Sequence, residues 1–341
     1  MTWKECLRQS AAWYGSAEAV RIADNVLLYQ LDSGAWAKNV DMARPLTAPD
    51  KTALAAQKKQ TKDGTIDNGA TYTQMAFLAR VHRATGEGRF REAFLRGLNF
   101  LLATQYENGG WPQFPSGSGY HRHITFNDDA MVGVLRLLRD IARTNEPCAF
   151  VDAPRRARVG KAVEHGIACI LQCQVMVDGQ RTAWCAQHDE RTLAPAPARS
   201  YELVSLSGSE SAGIVRFLMG EENPSPEIIE AIQSAVKWFD RAKLTGIRQV
   251  NKADPSQPNG RDKVIVADPS APPLWARFYE IGTNRPFFCG RDGVKKYRLA
   301  EIEHERRTGY AWYTQAPAAL LAQDYPAWQN RWARGRNVLA P

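Results

Sequence analysis

Two kinds of side chain in this 341-residue chain stand where a fold alone does not require them. Residues 121–131, HRHITFNDDAM, set Asn127, Asp128 and Asp129 directly before the apolar run MVGVLRLLRDI. One Asn or Asp at that point can cap a helix by accepting from its unpaired first N–H groups, and a further acid suits the helix dipole. Three oxygen-bearing residues exceed that need. TIDNGAT at 65–71 repeats the arrangement with Asp67 and Asn68. Asp and Asn oxygens drawn from several loops, with no His or Cys in the same clusters, suit a hard cation such as calcium. EF-hand spacing is absent, so such a ligand set would be assembled in space. The second kind is arginine: Arg199 in ARSYELVSLSG, Arg277 in LWARFYEIG, Arg285 in TNRPFF and Arg291 in FFCGRDG. The ordinary role of each is a solvated or structural arginine, but loop arginines beside aromatics and acid clusters are suited to grip carboxylates. Lys38, His121 and His123 lie in loops expected beside these groups, and His123 could equally serve a local hydrogen bond. Trp111 is a candidate platform for a sugar ring, with helix-end packing as its competing role.

The elements that position these residues are helical and repeated. QLDSGAW at 30–36 and QYENGGW at 105–111 share the pattern Q-x3-G-x-W, and QVMVDGQRTAW at 174–184 is a degenerate third copy. Each closes a helical segment: VRIADNVLLYQ, FREAFLRGLNFLLATQ and GKAVEHGIACILQCQ. Partner helices start from TIDNGAT, TFNDDAM and SLSGSES, and PEIIEAIQSAVKWFDRAKLTG adds a last outer helix that Gly246 should stop. The spacing predicts an all-α fold of about three helical hairpins, an (α/α)3 toroid with inner and outer helices. The expectation is one domain over 1–341, with hairpins at about 15–250 and a loop-rich segment at about 250–313. That segment reads as long loop with short extended pieces, and Trp275, Phe278, Tyr279, Phe287, Phe288 and Tyr297 argue against disorder.

Composition narrows the partner only broadly. The net charge of +8 favours anionic partners. No Lys/Arg block or nucleic-acid motif accompanies it, and no apolar run is long enough to span a membrane. The start, MTWKECLRQSAAWYG, lacks the apolar core of a signal peptide. Cys169, Cys173, Cys185 and His188 fit no standard zinc spacing, which favours buried thiols or a disulfide.

TIDNGAT, ENGGWPQFP, HITFNDDAM, PARSYELVSLSGSES and FYEIGTNRPFFCGRDG, in that order from about Asn25 to Tyr313, resemble the hallmark segments of the family 10 polysaccharide lyases, which are pectate lyases. The resemblance implies an (α/α)3 toroid with a substrate groove and calcium-assisted β-elimination of polygalacturonate to 4,5-unsaturated oligogalacturonides. By motif, Asp129 and Asn127 would bind calcium, with Asp67, Asn68 and Asp128 beside them. Arg199 would be the base, and Arg277 and Arg291 would bind uronate carboxylates, with Lys38, His123, Arg285 and Trp111 as further substrate contacts. WAKN at 36–39 departs from the family's W-P-K-N type segment. A secreted or periplasmic monomer acting on polygalacturonate, with neither nucleic acid nor membrane as partner, is the resulting expectation.

Three other readings compete. An inverting glycoside hydrolase would recast Asp67 and Asp129 as acid and base. A terpenoid cyclase would share the Q-x3-G-x-W repeat, but its DDxxD or DxDD signal is missing. A non-catalytic polyuronate-binding module would keep the arginines and calcium without turnover.

Overall fold

The Q-x3-G-x-W motif is a staple between consecutive outer helices. In a computed structural model, which describes residues 1–339, the Gln30 amide donates to the Gly34 carbonyl at 2.9 Å and to Ala93 at 2.8 Å. Gln105 does the same to Gly109 at 3.0 Å and to Ala162 at 2.9 Å. The indoles of Trp36 and Trp111 are buried and donate back into the preceding helix, to Val26 and Leu101, each at 2.8 Å. The motif glycines take left-handed φ values of +91° and +90°, where a side chain would be strained. A Cβ would also sit 2.4 Å from the Arg96 carbonyl oxygen at Gly34 and 2.0 Å from that of His165 at Gly109. The motif therefore closes one helix and seats the next against it.

These residues belong to two compact units, Met1–Cys169 and a second beginning at Ile170, divided within the helix Ala153–Cys173. In the first, Ala17–Tyr29 opens at Ser16, whose hydroxyl accepts from the Ala19 N–H at 3.2 Å. Tyr72–Thr85 and Gly88–Ala103 form an antiparallel hairpin closed by Gly86 at φ +75°, and Ala130–Ala142 packs on Tyr72–Thr85. Ala130–Ala142 buries Met131, Val132, Val134, Leu135, Leu137, Leu138 and Ile141, nearly its whole circumference, as a central helix must. A helix at Ala48–Gln57, with a Thr47–Asp50 capping box, lies outside the repeat pattern and was not anticipated.

In the second unit the degenerate motif keeps the staple. Gln174 donates to Thr182 at 3.0 Å and to Ala231 at 2.9 Å, and the Trp184 indole to Ile170 at 2.7 Å. A two-stranded hairpin, Met176–Val177 with Gln180–Arg181, replaces the tight glycine turn. Its tip residues Asp178 and Gly179, at φ +50° and +74°, give the two successive left-handed residues a type I′ turn needs. Glu210–Met219 then pairs with Pro226–Ala242, which Ser225 caps and Pro226 starts.

The all-α expectation holds, since helices dominate and only one strand pair exceeds two residues per strand among the described residues. Two local expectations need correction. The last outer helix ends at Ala242, and Gly246, at φ +74°, instead opens a seven-residue antiparallel pair, Ile247–Ala253 with Arg261–Ala267. The β-branched run of Val264, Ile265 and Val266 in RDKVIVA was the missed strand signal. Beyond it, Trp275, Phe278, Tyr279, Phe287 and Phe288 are buried in the core, and Tyr297 is exposed.

Candidate active site

In the first unit, the two oxygen-rich segments form matching short turns, Asp67–Gly69 and Asn127–Asp129, packed against each other. Asn68 and Asp128 hold the same left-handed backbone, φ +51° and +52°, followed by Gly69 and Asp129 at +82° and +57°. This corrects the capping expectation. Asp129 stands at the N-cap of Ala130–Ala142, but its side chain makes no capping bond. A cap needs extended backbone to turn its oxygen onto the first N–H groups, and left-handed backbone points it elsewhere. The Asp129 carboxylate lies 3.8 Å from Arg136, and the Asn127 amide donates to Asp128 at 2.8 Å.

Asp67 is buried, and Lys38 donates to its Oδ2. Its Oδ1 has no hydrogen-bond partner among the described residues. A buried carboxylate oxygen without a donor is what a bound cation would satisfy. Tyr72, which the sequence reading passed over, faces the same acids. Burial pushes its hydroxyl up to about 12, with the charges of Asp129, Asp128 and Asp67 adding to the rise and Arg136 opposing it. The ring lies over Gly133, where a Cβ would fall 2.3 Å from Cζ. Lys38 also sits 5.2 Å from the Phe114 ring, and His121 packs edge-on to that ring at 5.1 Å. Burial and then the Lys38 charge lower the His121 pKa, against Asp67. His123 is half-buried, its backbone N–H donating to Tyr120 at 3.1 Å.

In the second unit the arginines gather on aromatic rings. Arg199 lies 5.0 Å from the Tyr201 ring, Arg306 4.7 Å and Arg291 5.9 Å. Arg277 lies 4.6 Å from Tyr310, which packs edge-on against Tyr201 at 5.4 Å. Each guanidinium has a carboxylate. Arg199 grips Glu202 through two bonds, 2.8 and 2.5 Å, and the Tyr310 hydroxyl donates to the same carboxylate at 2.7 Å. The Glu202 hydrogen bonds hold the Arg199 pKa well above its ordinary value. Arg291 bonds Glu305 at 3.0 and 3.1 Å on the surface, and Arg306 shares that carboxylate.

Arg277 is only 7 % exposed and donates to Glu210 at 2.7 Å. The strand pair Leu206–Ser207 with Phe278–Tyr279 presents it, and Gly208 allows the close approach, since a Cβ there would lie 2.3 Å from the Ala276 oxygen. Arg285 stands apart from this cluster, stacked at 3.4 Å on Tyr297, which in turn bonds Glu280. Arg306 and Tyr310 were missed because HERRTGY reads as an ordinary charged helix end.

Trp111 leaves the list of substrate contacts. It has no exposed surface and its indole N–H is committed to Leu101, so no sugar can reach its ring. The cysteines are all buried, and His188 uses both ring nitrogens on backbone, Nε2 accepting from Cys185 at 3.2 Å and Nδ1 meeting the Leu193 carbonyl at 2.8 Å. That arrangement leaves the histidine no nitrogen for zinc.

The chain matches the pectic acid lyase family over residues 30–321. No protein with a curated description matches it. Among solved structures it is similar to family 10 polysaccharide lyase from Cellvibrio cellulosa, at 35% identity over 94% of this chain and 93% of that one, with a TM-score of 0.78. It is also similar to a mutant of family 10 polysaccharide lyase from Cellvibrio cellulosa in complex with trigalacturonic acid, at 36% identity over 91% of this chain and 93% of that one, again with a TM-score of 0.78. With the family matched over most of its length and its fold shared at that identity, the chain belongs to the pectic acid lyase family and is a polysaccharide lyase.

Proposed function

We propose that the chain is a pectate lyase that cleaves polygalacturonate by calcium-dependent β-elimination. The observation that carries this is the convergence of Arg199, Arg291 and Arg306 on the Tyr201 ring, a density of cation suited to uronate carboxylates. The solved relative in complex with trigalacturonic acid supports the same substrate class.

Elimination removes the proton at C5, α to the carboxylate. The C–H electron pair becomes the C4=C5 double bond, the C4–O bond breaks, and the departing oxygen takes a proton to become a new chain end. Negative charge grows beside a carboxylate that is already negative, so fixed cations around it lower the barrier. Arg291 is the most accessible of the cluster, and its surface pair with Glu305 is cheap to exchange for a substrate carboxylate. Arg277, nearly buried and fixed by Glu210, gives a rigid guanidinium in the same cluster. Arg199 accepts the C5 proton in its neutral form, oriented by its two bonds to Glu202.

Asp67, Asn68, Asn127, Asp128 and Asp129 are assigned to the cation. Calcium, which this oxygen set suits, would neutralise a uronate carboxylate and make the neighbouring C5 proton more acidic. Lys38, His123 and Arg285 are assigned to the polymer outside the reacting sugar. The family sets aside the hydrolase and cyclase readings. The same reading makes the protein a monomer exported to meet an extracellular polymer. No helix among the described residues is long and apolar enough to cross a membrane. Near-ultraviolet absorbance during incubation with polygalacturonate tests the proposal: a rise reports the unsaturated product, and a flat trace with intact binding would make the chain a binding module only.

A further inference from the structure

A cleft of about 540 Å³ opens within the second unit, between the hairpin at 176–182, the helix Pro226–Ala242 and the loop at 282–284. None of Arg199, Arg277, Arg285 and Arg291 lines it. Its volume falls in the range of about 300–1,000 Å³ typical of ligand clefts.

Lys237 and Arg241 stand on its helix wall, one turn and roughly 6 Å apart along the axis. Both are exposed, and neither has a hydrogen-bond or carboxylate partner among the described residues. The nearby Lys243 is paired, with Asp240 at 2.6 Å. Two like charges four residues apart on a helix repel, so an anion between them relieves a cost the helix otherwise bears. Across the cleft, Arg181 is tied to the Leu171 carbonyl at 3.0 Å and lies 3.8 Å from Glu230. Trp238 is held rigid in the lining, its N–H donating to Asn284 at 2.7 Å and its ring edge-on to Tyr279 at 5.3 Å. Cations for carboxylates, and Glu230 and Ser234 for hydroxyls, are the needs of an acidic saccharide.

We propose that this cleft is a second binding site for an acidic oligosaccharide segment, holding uronate carboxylates on Lys237 and Arg241, separate from the residues that perform the reaction. The inference rests on the polyuronate reading above. Its consequence is avidity: a long chain engages the cleft and the reacting residues together, and a trisaccharide cannot.

The test compares the intact protein with Lys237→Ala/Arg241→Ala, and with Ser234→Trp, which fills the cleft without removing a charge. Affinity electrophoresis in gels containing polygalacturonate should show retardation weakened about fivefold by both changes. Turnover of trigalacturonate should be the same in all three proteins, while KM on the polymer rises and kcat holds. Unchanged retardation would overturn the proposal. Equal loss on trimer and polymer would overturn it too, by placing these residues in the reaction machinery or in the fold. Equal weakening in gels containing DNA would reduce the cleft to a general polyanion patch, which also contradicts it. If the intact protein releases no unsaturated product at all, the lyase reading fails, and the electrophoresis still judges the cleft by itself.

Discussion

Arg199 has to take a proton while Glu202 holds it charged. The pairing raises its pKa, so the neutral fraction is small near neutrality and grows with every unit of pH. The rate should therefore climb through the alkaline range without a plateau near pH 7, and an optimum at pH 5 would remove Arg199 from the role. Arg199→Ala or Arg199→Lys should abolish unsaturated product while polymer binding survives, and retained turnover would move the base elsewhere. Glu202 carries the other side of the linkage. Burial pushes its pKa up, but the Arg199 bonds and charge and the Tyr310 hydroxyl outweigh that and leave it depressed. A depressed carboxylate stabilises the fold above its unfolded value of about 4.3, and the contribution fades as pH falls below that value. Glu202→Gln should accordingly flatten the acid limb of Tm against pH, and an unchanged limb would contradict the assignment. The acids and Arg199 stand out in the sequence as candidates, the acids because they exceed what capping needs, and the role of Arg199 as base comes from the family resemblance. Tyr72 and Tyr310 were not, because a tyrosine beside a charged site and one in a core are the same letter until packing separates them. Trp111 shows the converse, since its pattern as a helix-end residue decided its role.

At the scale of elements, the staple makes two glycines unequal. Gly109→Ala would strain a left-handed backbone, costing more than ~1 kcal/mol, and would also drive a Cβ onto the His165 carbonyl. Gly179, at φ +74° with nothing within 4 Å, faces the backbone strain alone, roughly 1–2 kcal/mol. Thermal unfolding should therefore drop clearly further for Gly109→Ala than for Gly179→Ala, and equal drops would dissolve the staple argument. Gln105→Ala removes the side-chain donor that the carbonyls of Gly109 and Ala162 share and should cost about 0.5–1.5 kcal/mol per hydrogen bond lost. The repeat was readable because it follows the 3.6-residue period and ends each time on the same residues. The hairpin Ile247–Ala253 with Arg261–Ala267 was not, because neither strand alternates polar with apolar residues and its loop, DPSQPNG, masks the pairing. The third motif copy was detectable only as degenerate, since a hairpin does in it what one glycine does in the others.

For the whole molecule, the net charge of +8 sets the character of binding to a polyanion. Attraction between exposed charges is screened beyond about 8–10 Å at physiological salt. KM on polygalacturonate should rise with added salt while kcat changes little, and a salt-independent KM would mean that charge does not govern capture. The helical class was legible from pattern alone, whereas no sequence pattern reports which carboxylate each arginine meets. The substrate and the chemistry converge on one measurement. Near-ultraviolet absorbance is followed during incubation with polygalacturonate at alkaline pH, with calcium and then with excess EDTA. Calcium-dependent elimination predicts absorbance that rises with calcium, stops on chelation and resumes when calcium is restored. Reducing ends that accumulate without absorbance, or turnover that EDTA leaves untouched, would contradict calcium-dependent elimination.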